Sequence, residues 1–191
     1  MSTVISGVDY GPLFQLIGKW RGDKGLDVAP EPDGEDKHAY YDEMEFTPAG
    51  AAENAEEQNL VCVKYHQLVR KRNNGRVFHD QIGHWIYEPA TGMVVHSLSI
   101  PRAVAVLAGG TLQQHGDQTV FEVAATTGSE SFGIVQSPFM LEKARTTAFK
   151  MRLSIEGDEL RYEETTSLDI YGRPFEHTDG STLQRVIYDY D

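Results

Sequence analysis

Seven histidines, one cysteine and an excess of carboxylates are the residues of this 191-residue chain that could carry chemistry. Their spacing rules out more than it supports. His66, His84, His96 and His115 show neither the His-x3-His nor the mixed Cys/His spacing of a metal centre, and read as ordinary surface or strand residues. Cys62 sits in an apolar alternating segment with no adjacent base, which predicts a buried, inert thiol. No serine stands in a Gly-x-Ser-x-Gly elbow. Gly109-Gly110 follows a strand pattern and opens no helix, so it is not a phosphate cradle. Glu43, Glu45, Glu163 and Glu164 fall on strand faces at ordinary density, as solvated faces do. Of the other three, His38 begins an alternating segment. His79 shares a strand face with Gln81 and Trp85, and His177 has Asp179 close by; each could be a structurally hydrogen-bonded imidazole or could face a ligand.

The elements that must position these residues are almost all strands. Pro12 to Ile17 predicts a short helix, opened by a proline whose missing donor costs nothing and closed by Gly18. Gly18-Lys19-Trp20-Arg21-Gly22 then begins the strand series. Trp20 is expected to cover one barrel end, with glycines that let the strand bend over it. Asp23 to Asp36, interrupted by Pro30, Pro32 and Gly34, reads as a loop. His38 to Pro48 alternates, with Tyr40, Met44 and Phe46 on one face; Ala49 to Asn59 reads as a turn, and Leu60 to Arg70 as a strand. Asn73-Asn74-Gly75 signals a type I′ hairpin.

The phase of Arg76 to Tyr87 leaves open which face is inward. Strands follow over Met93 to Ile100 and Ala103 to Leu107, the second ended by Gly109-Gly110, then over Thr111 to Gln114 and Gln118 to Ala125. Thr126 to Glu142 is an irregular loop with a short helical turn. Ala144 to Ile155 faces Phe149, Met151, Leu153 and Ile155 inward, Glu159 to Leu168 runs back, and a last strand from Phe175 or His177 reaches Tyr188. The fold class that follows is all-β. It is an antiparallel up-and-down barrel of about ten strands with a short N-terminal helix closing one end, and residues 1–191 form a single domain.

A net charge of -12 and a pI near 4.9 argue against nucleic acid or an anionic membrane as partner. No apolar run approaches the length of a membrane span. Met1 to Ser6 lacks the basic and apolar regions of a signal peptide, and a single cysteine fits a reducing compartment, so a cytoplasmic location is expected. The oligomeric state is left open, a homodimer included.

Taken in order, Gly18-Lys19-Trp20-Arg21-Gly22, Tyr41-Asp42-Glu43-Met44-Glu45-Phe46, His79-Asp80-Gln81-Ile82-Gly83-His84-Trp85, the stretch from Pro101 to Gly109, Gly157 to Tyr162 and Leu183-Gln184-Arg185 resemble the nitrobindin-like heme-binding β-barrels, over nearly the whole chain. Those barrels are similar in architecture to fatty-acid-binding proteins and lipocalins. The resemblance implies a small hydrophobic ligand, ferric heme b foremost, held by a histidine near the start of the last strand. Nitric oxide binding and peroxynitrite isomerase activity are then expected. It further implies that His79 and Ile100 line the cavity and that Arg185 covers Trp20.

Counted back from Arg185 without a gap, the family histidine falls on Thr178, and His177 lies one residue early. Leu26-Asp27-Val28-Ala29-Pro30 replaces the Tyr-Pro-Thr-Ile-type stretch of the family. A bulge at Gly180 would restore the phase. Which of His177 and Thr178 faces inward is open at this point, as is the alternative of a non-heme carrier for a fatty acid or similar apolar molecule. A third reading is an interior filled by side chains.

Overall fold

The computed structural model describes residues 2–187. Two short strands, β1 (Val4–Ile5) and β2 (Val8–Asp9), pair with each other and lead into a 3-10 helix over Gly11–Leu16. Longer strands then follow in a meander: β3 (Gly18–Glu31), β4 (Gly34–Asn54), β5 (Gln58–Lys71), β6 (Val77–Glu88), β7 (Met93–Ile100), β8 (Val104–His115) and β9 (Gln118–Thr126). After β10 (Ile134–Gln136) and helix α1 (Pro138–Lys143), the chain returns through β11 (Ala144–Glu156), β12 (Glu159–Ile170) and β13 (Arg173–Arg185). Every pairing is antiparallel, and β13 pairs with β3 while β8 pairs with β9, so ten strands close into a barrel with no free edge between them. β10 adds to the first part of β8, whose later part pairs with β9. Among the described residues no helix is long and apolar enough to cross a membrane.

The 3-10 helix closes one end. Leu13, Leu16 and Trp20 are fully buried, and the Trp20 indole donates to the Leu16 carbonyl at 2.7 Å. Above them the interior is packed with Met44, Phe46, Trp85, Phe121, Leu153 and Leu160, all at 1% exposure or less. Each such side chain contributes roughly 1.5–3 kcal/mol by leaving water. The expected inward set Phe149, Met151, Leu153 and Ile155 is buried as the alternation of β11 requires.

Four expectations are corrected. The segment Asp23 to Asp36 is two strand arms rather than a loop. A bulge between Gly22 and Gly25 lets β3 continue, and Pro30 lies near its end, where the chain is about to turn at residues 32–33. The turn between β4 and β5 is shorter than Ala49 to Asn59, because Ala55 and Glu56 take positive φ and reverse the chain within residues 55–57. At Asn73-Asn74-Gly75 only Gly75 has positive φ, and its amide bonds back to the Lys71 carbonyl at 2.9 Å. The turn is therefore wider than type I′. Gly109-Gly110 does not end β8. At Gly110 a Cβ would stand 1.9 Å from the Glu122 carbonyl oxygen, so the glycine permits close contact inside a continuous strand. Tyr188, the expected end of the last strand, lies outside the described residues.

Candidate functional site

At the barrel end opposite the helix, polar side chains replace the core. Two phase decisions bring them there. In β13, Ser181 and Leu183 are buried, and His177 and Asp179, on the same alternation, line a mouth cavity of about 80 Å³. Thr178 lies on the other face, paired with Thr165 and Val28 of its neighbours. The pairing of β12 with β13 runs without a shift through Gly180, so no bulge changes the phase against that neighbour. In β3 the bulge before Gly25 moves the inward set from Trp20 and Gly22 to Gly25, Asp27 and Ala29. Asp27 thereby becomes 4% exposed while Leu26 is 51% exposed, an inversion of the usual polarity.

Register then aligns the acids. Glu164 stands opposite Asp179, and Asp179 stands opposite Asp27, giving a row of three carboxylates across β12, β13 and β3. Like charges in directly paired positions repel. His177 relieves part of this: its Nε2 is 2.8 Å from Asp27 Oδ1 and 3.2 Å from Asp179 Oδ2. Burial pulls the imidazole toward neutrality, but the Asp27 hydrogen bond and the charges of Asp179, Asp27 and Glu164 outweigh it and raise its pKa. Burial is the main reason that Asp179 is raised to about 7, with His177 opposing it, and Glu164 is raised to about 8 chiefly by burial and by Asp179.

His79 and Arg102 also line this cavity. His79 Nε2 lies 3.1 Å from Gln81 Oε1, and burial, with further lowering from His177 and Arg102, holds its pKa down. The chain of contacts continues inward: Gln81 donates to the Tyr65 hydroxyl at 2.7 Å, and that hydroxyl is 2.8 Å from His96 Nε2. Beside it, Tyr162 donates to Asp42 Oδ2 at 2.6 Å and bonds the Tyr40 hydroxyl at 2.8 Å, while Gln67 donates to both Asp42 oxygens. Burial pushes Asp42 up to about 7 against these hydrogen bonds.

Of the residues singled out from sequence, His177 and His79 come together on this cavity. Ile100 does not line it. Ile100 packs against the core and borders an adjoining depression with His79 and Arg102. Trp20 and Arg185 are at the barrel's other end, in contact. His66, His84 and His115 are exposed, as expected, whereas His96 is fully buried, stacked on Trp85 at 4.2 Å between ring centres. Glu164 is a cavity residue and not part of a solvated face, because its side of β12 turns inward beside Tyr162. Cys62 is only partly buried. Sequence reasoning does not assign Asp27, Asp179, Tyr40, Tyr162 or Arg102 to a site. The one signal it holds is the alternation of His177 with Asp179 on the last strand. A larger hollow, about 640 Å³, lies on the outer wall beside Ile82 and Leu107 and holds none of the mouth carboxylates.

A closed ten-strand antiparallel barrel, sealed by a helix at one end and carrying an inward polar cluster at the other, is a barrel of the up-and-down kind. The chain belongs to a family within that class: residues 9–185 match the THAP4-like, heme-binding β-barrel domain. The crystal structure of Rv2717c from M. tuberculosis is similar in fold, with a TM-score of 0.68 over 94% of this chain and 100% of that one at 23% identity. No curated protein matches the chain significantly.

Proposed function

We propose that this member of the heme-binding barrel family uses its mouth for a small polar or cationic ligand in place of heme b. The observation that carries the reading is the position of His177 Nε2, shared between Asp27 Oδ1 and Asp179 Oδ2. An axial ligand to heme needs a neutral imidazole whose lone pair points at iron. Here Nε2 faces two carboxylates that favour the protonated ring, which leaves only Nδ1 to a heme iron. Their oxygens also occupy the space in front of Nε2 that a porphyrin face would need. Thr178, on which the family histidine falls in an ungapped count from Arg185, offers a hydroxyl on the other face of the strand.

Size supports the same reading. Pockets for drug-sized ligands enclose about 300–1,000 Å³, and the mouth cavity is about 80 Å³. Nor does the interior offer the apolar channel that a fatty acid would need, since Trp85, Phe46 and Phe121 are fully buried in it. Peroxynitrite isomerisation depends on the iron, and no step of it is assigned to these residues.

Titrating the protein with hemin tests the proposal. The expected visible spectrum is that of free hemin for both the wild type and His177→Ala. A shifted Soret band that is lost in His177→Ala would overturn it and restore His177 as the axial ligand of heme b.

A further inference from the structure

The row Glu164–Asp179–Asp27 places three carboxylates beside one imidazole at the mouth cavity. Such a cluster is costly to assemble from ionised acids alone, because like charges at paired strand positions repel and burial removes their solvation. His177 stands between two of these carboxylates, and Arg102 is on the same cavity. Glu164 lines the same cavity and, among the described residues, forms no hydrogen bond or ion pair, while His177 acts on it electrostatically.

We propose that Asp27, His177 and Asp179 bind one divalent transition-metal ion, with Glu164 as an additional oxygen ligand or as the acceptor for a water on that ion. The proposal rests on the reading that heme does not occupy the mouth. The spacing supports it. Nitrogen and oxygen ligands stand about 2.0–2.2 Å from such an ion, so neighbouring ligands are roughly 3 Å apart. His177 Nε2 is already 2.8 Å from Asp27 Oδ1 and 3.2 Å from Asp179 Oδ2, and all three donor atoms lie within 4.8 Å of one another. Binding replaces the contacts of Nε2 with the two carboxylates by coordination bonds and displaces any proton that lies between them.

The donor set narrows the ion. One imidazole and two or three carboxylates, with no thiolate, suit Zn²⁺, Mn²⁺ or Fe²⁺ better than Cu⁺, and the imidazole disfavours Ca²⁺ and Mg²⁺, which take oxygen ligands. The same set explains why a porphyrin and a bare ion differ here. A bare ion recruits the two aspartates as ligands, whereas heme iron already has its equatorial positions filled and would have to displace them.

The test uses the full chain without an affinity tag, treated with chelator and then titrated with Zn²⁺ and with Mn²⁺ by calorimetry. One equivalent is expected to bind, with proton release. Asp179→Asn and His177→Ala should each weaken binding at least tenfold, while Thr178→Ala, on the opposite face of β13, should leave it unchanged. Far-UV circular dichroism checks that the variants are folded, and Glu164→Gln, a near-isosteric change, serves if either is not. Absence of saturable binding to the wild type, or equal binding by the wild type, Asp179→Asn and His177→Ala, overturns the proposal. A protein that binds neither hemin nor these ions would contradict only the metal site, and one that binds hemin through His177 would contradict the reading beneath it.

Discussion

The guanidinium carbon of Arg185 lies 4.1 Å from the centre of the Trp20 ring, and the same guanidinium donates to the carbonyls of Ile17 and Gln15 at 2.8 Å each. Arg185 thus satisfies carbonyls at the end of the 3-10 helix, covers the fully buried indole and ties the last barrel strand to the first. Lysine cannot reproduce that planar fork. Trp20→Ala is expected to cost about 3–5 kcal/mol, a fall in melting temperature on the order of 10 °C. Arg185→Lys should cost about 1.5–3 kcal/mol, the value of hydrogen bonds to a charged group. Thermal denaturation followed by far-UV circular dichroism checks both, and an unchanged midpoint for Arg185→Lys would mean that the fork is not needed.

This end of the molecule was legible in the sequence because two of its signals are local, a proline-opened helix and a glycine-flanked tryptophan, while the cover of Trp20 by Arg185 came from the family resemblance. The mouth was not. Its inward residues are acids, so the apolar alternation that reveals β11 is inverted in β3, where Leu26 is out and Asp27 is in. His177 and Asp27 are separated by 150 residues and meet only through the register of β13 against β3, which no local pattern encodes. His96 was unreadable for a similar reason: what buries it is the stacked Trp85 on the adjacent strand.

Backbone approach at Gly83 makes a second prediction. A Cβ there would stand 1.8 Å from the Ser97 carbonyl oxygen, an atom of the neighbouring strand that can move only if β6 and β7 part. Gly83→Ala should therefore destabilise by at least the roughly 1–3 kcal/mol of an overpacked core. Gly34 is the internal control. A Cβ added there would meet no heavy atom within 4 Å, and its φ is not positive, so Gly34→Ala should be neutral or slightly stabilising. Urea denaturation of the two variants decides: similar losses would contradict the contact argument.

His96 sets an acid limb of stability. Burial depresses its pKa to about 3, against 6.5 for an exposed histidine. Between those values the unfolded chain binds a proton that the folded chain does not, so this residue makes stability fall as pH drops below about 6.5, by up to roughly 1.4 kcal/mol per pH unit. His96→Phe keeps an aromatic ring on Trp85 and removes the titration. The variant should lose the Tyr65 hydrogen bond, a cost of about 1 kcal/mol at neutral pH, yet show a shallower decline between about pH 6 and pH 4. Parallel declines in the wild type and variant would rule out His96 as the source.

Asp42 acts with the opposite sign. Its carboxyl is raised from 3.8 to about 7, first by burial, against the opposing hydrogen bonds from Tyr162, Gln67 and the Glu43 amide. From about pH 4 to pH 7 the folded state holds a proton at Asp42 that the unfolded state has released. Its contribution is thus complete below the unfolded value and is lost as pH rises through about 7, with a slope of up to roughly 1.4 kcal/mol per pH unit. Asp179, raised to about 7, and Glu164, raised to about 8, add slopes of the same sign. Asp42→Asn keeps an oxygen to accept from Tyr162 and has no charge to bury, so it should reduce the loss of stability between about pH 5 and pH 7 by roughly one proton's worth without abolishing it. Chemical denaturation at several pH values across that range measures the slope directly. If the wild type and Asp42→Asn slopes coincide, the buried carboxyl is ionised throughout and its hydrogen bonds, not its burial, control it.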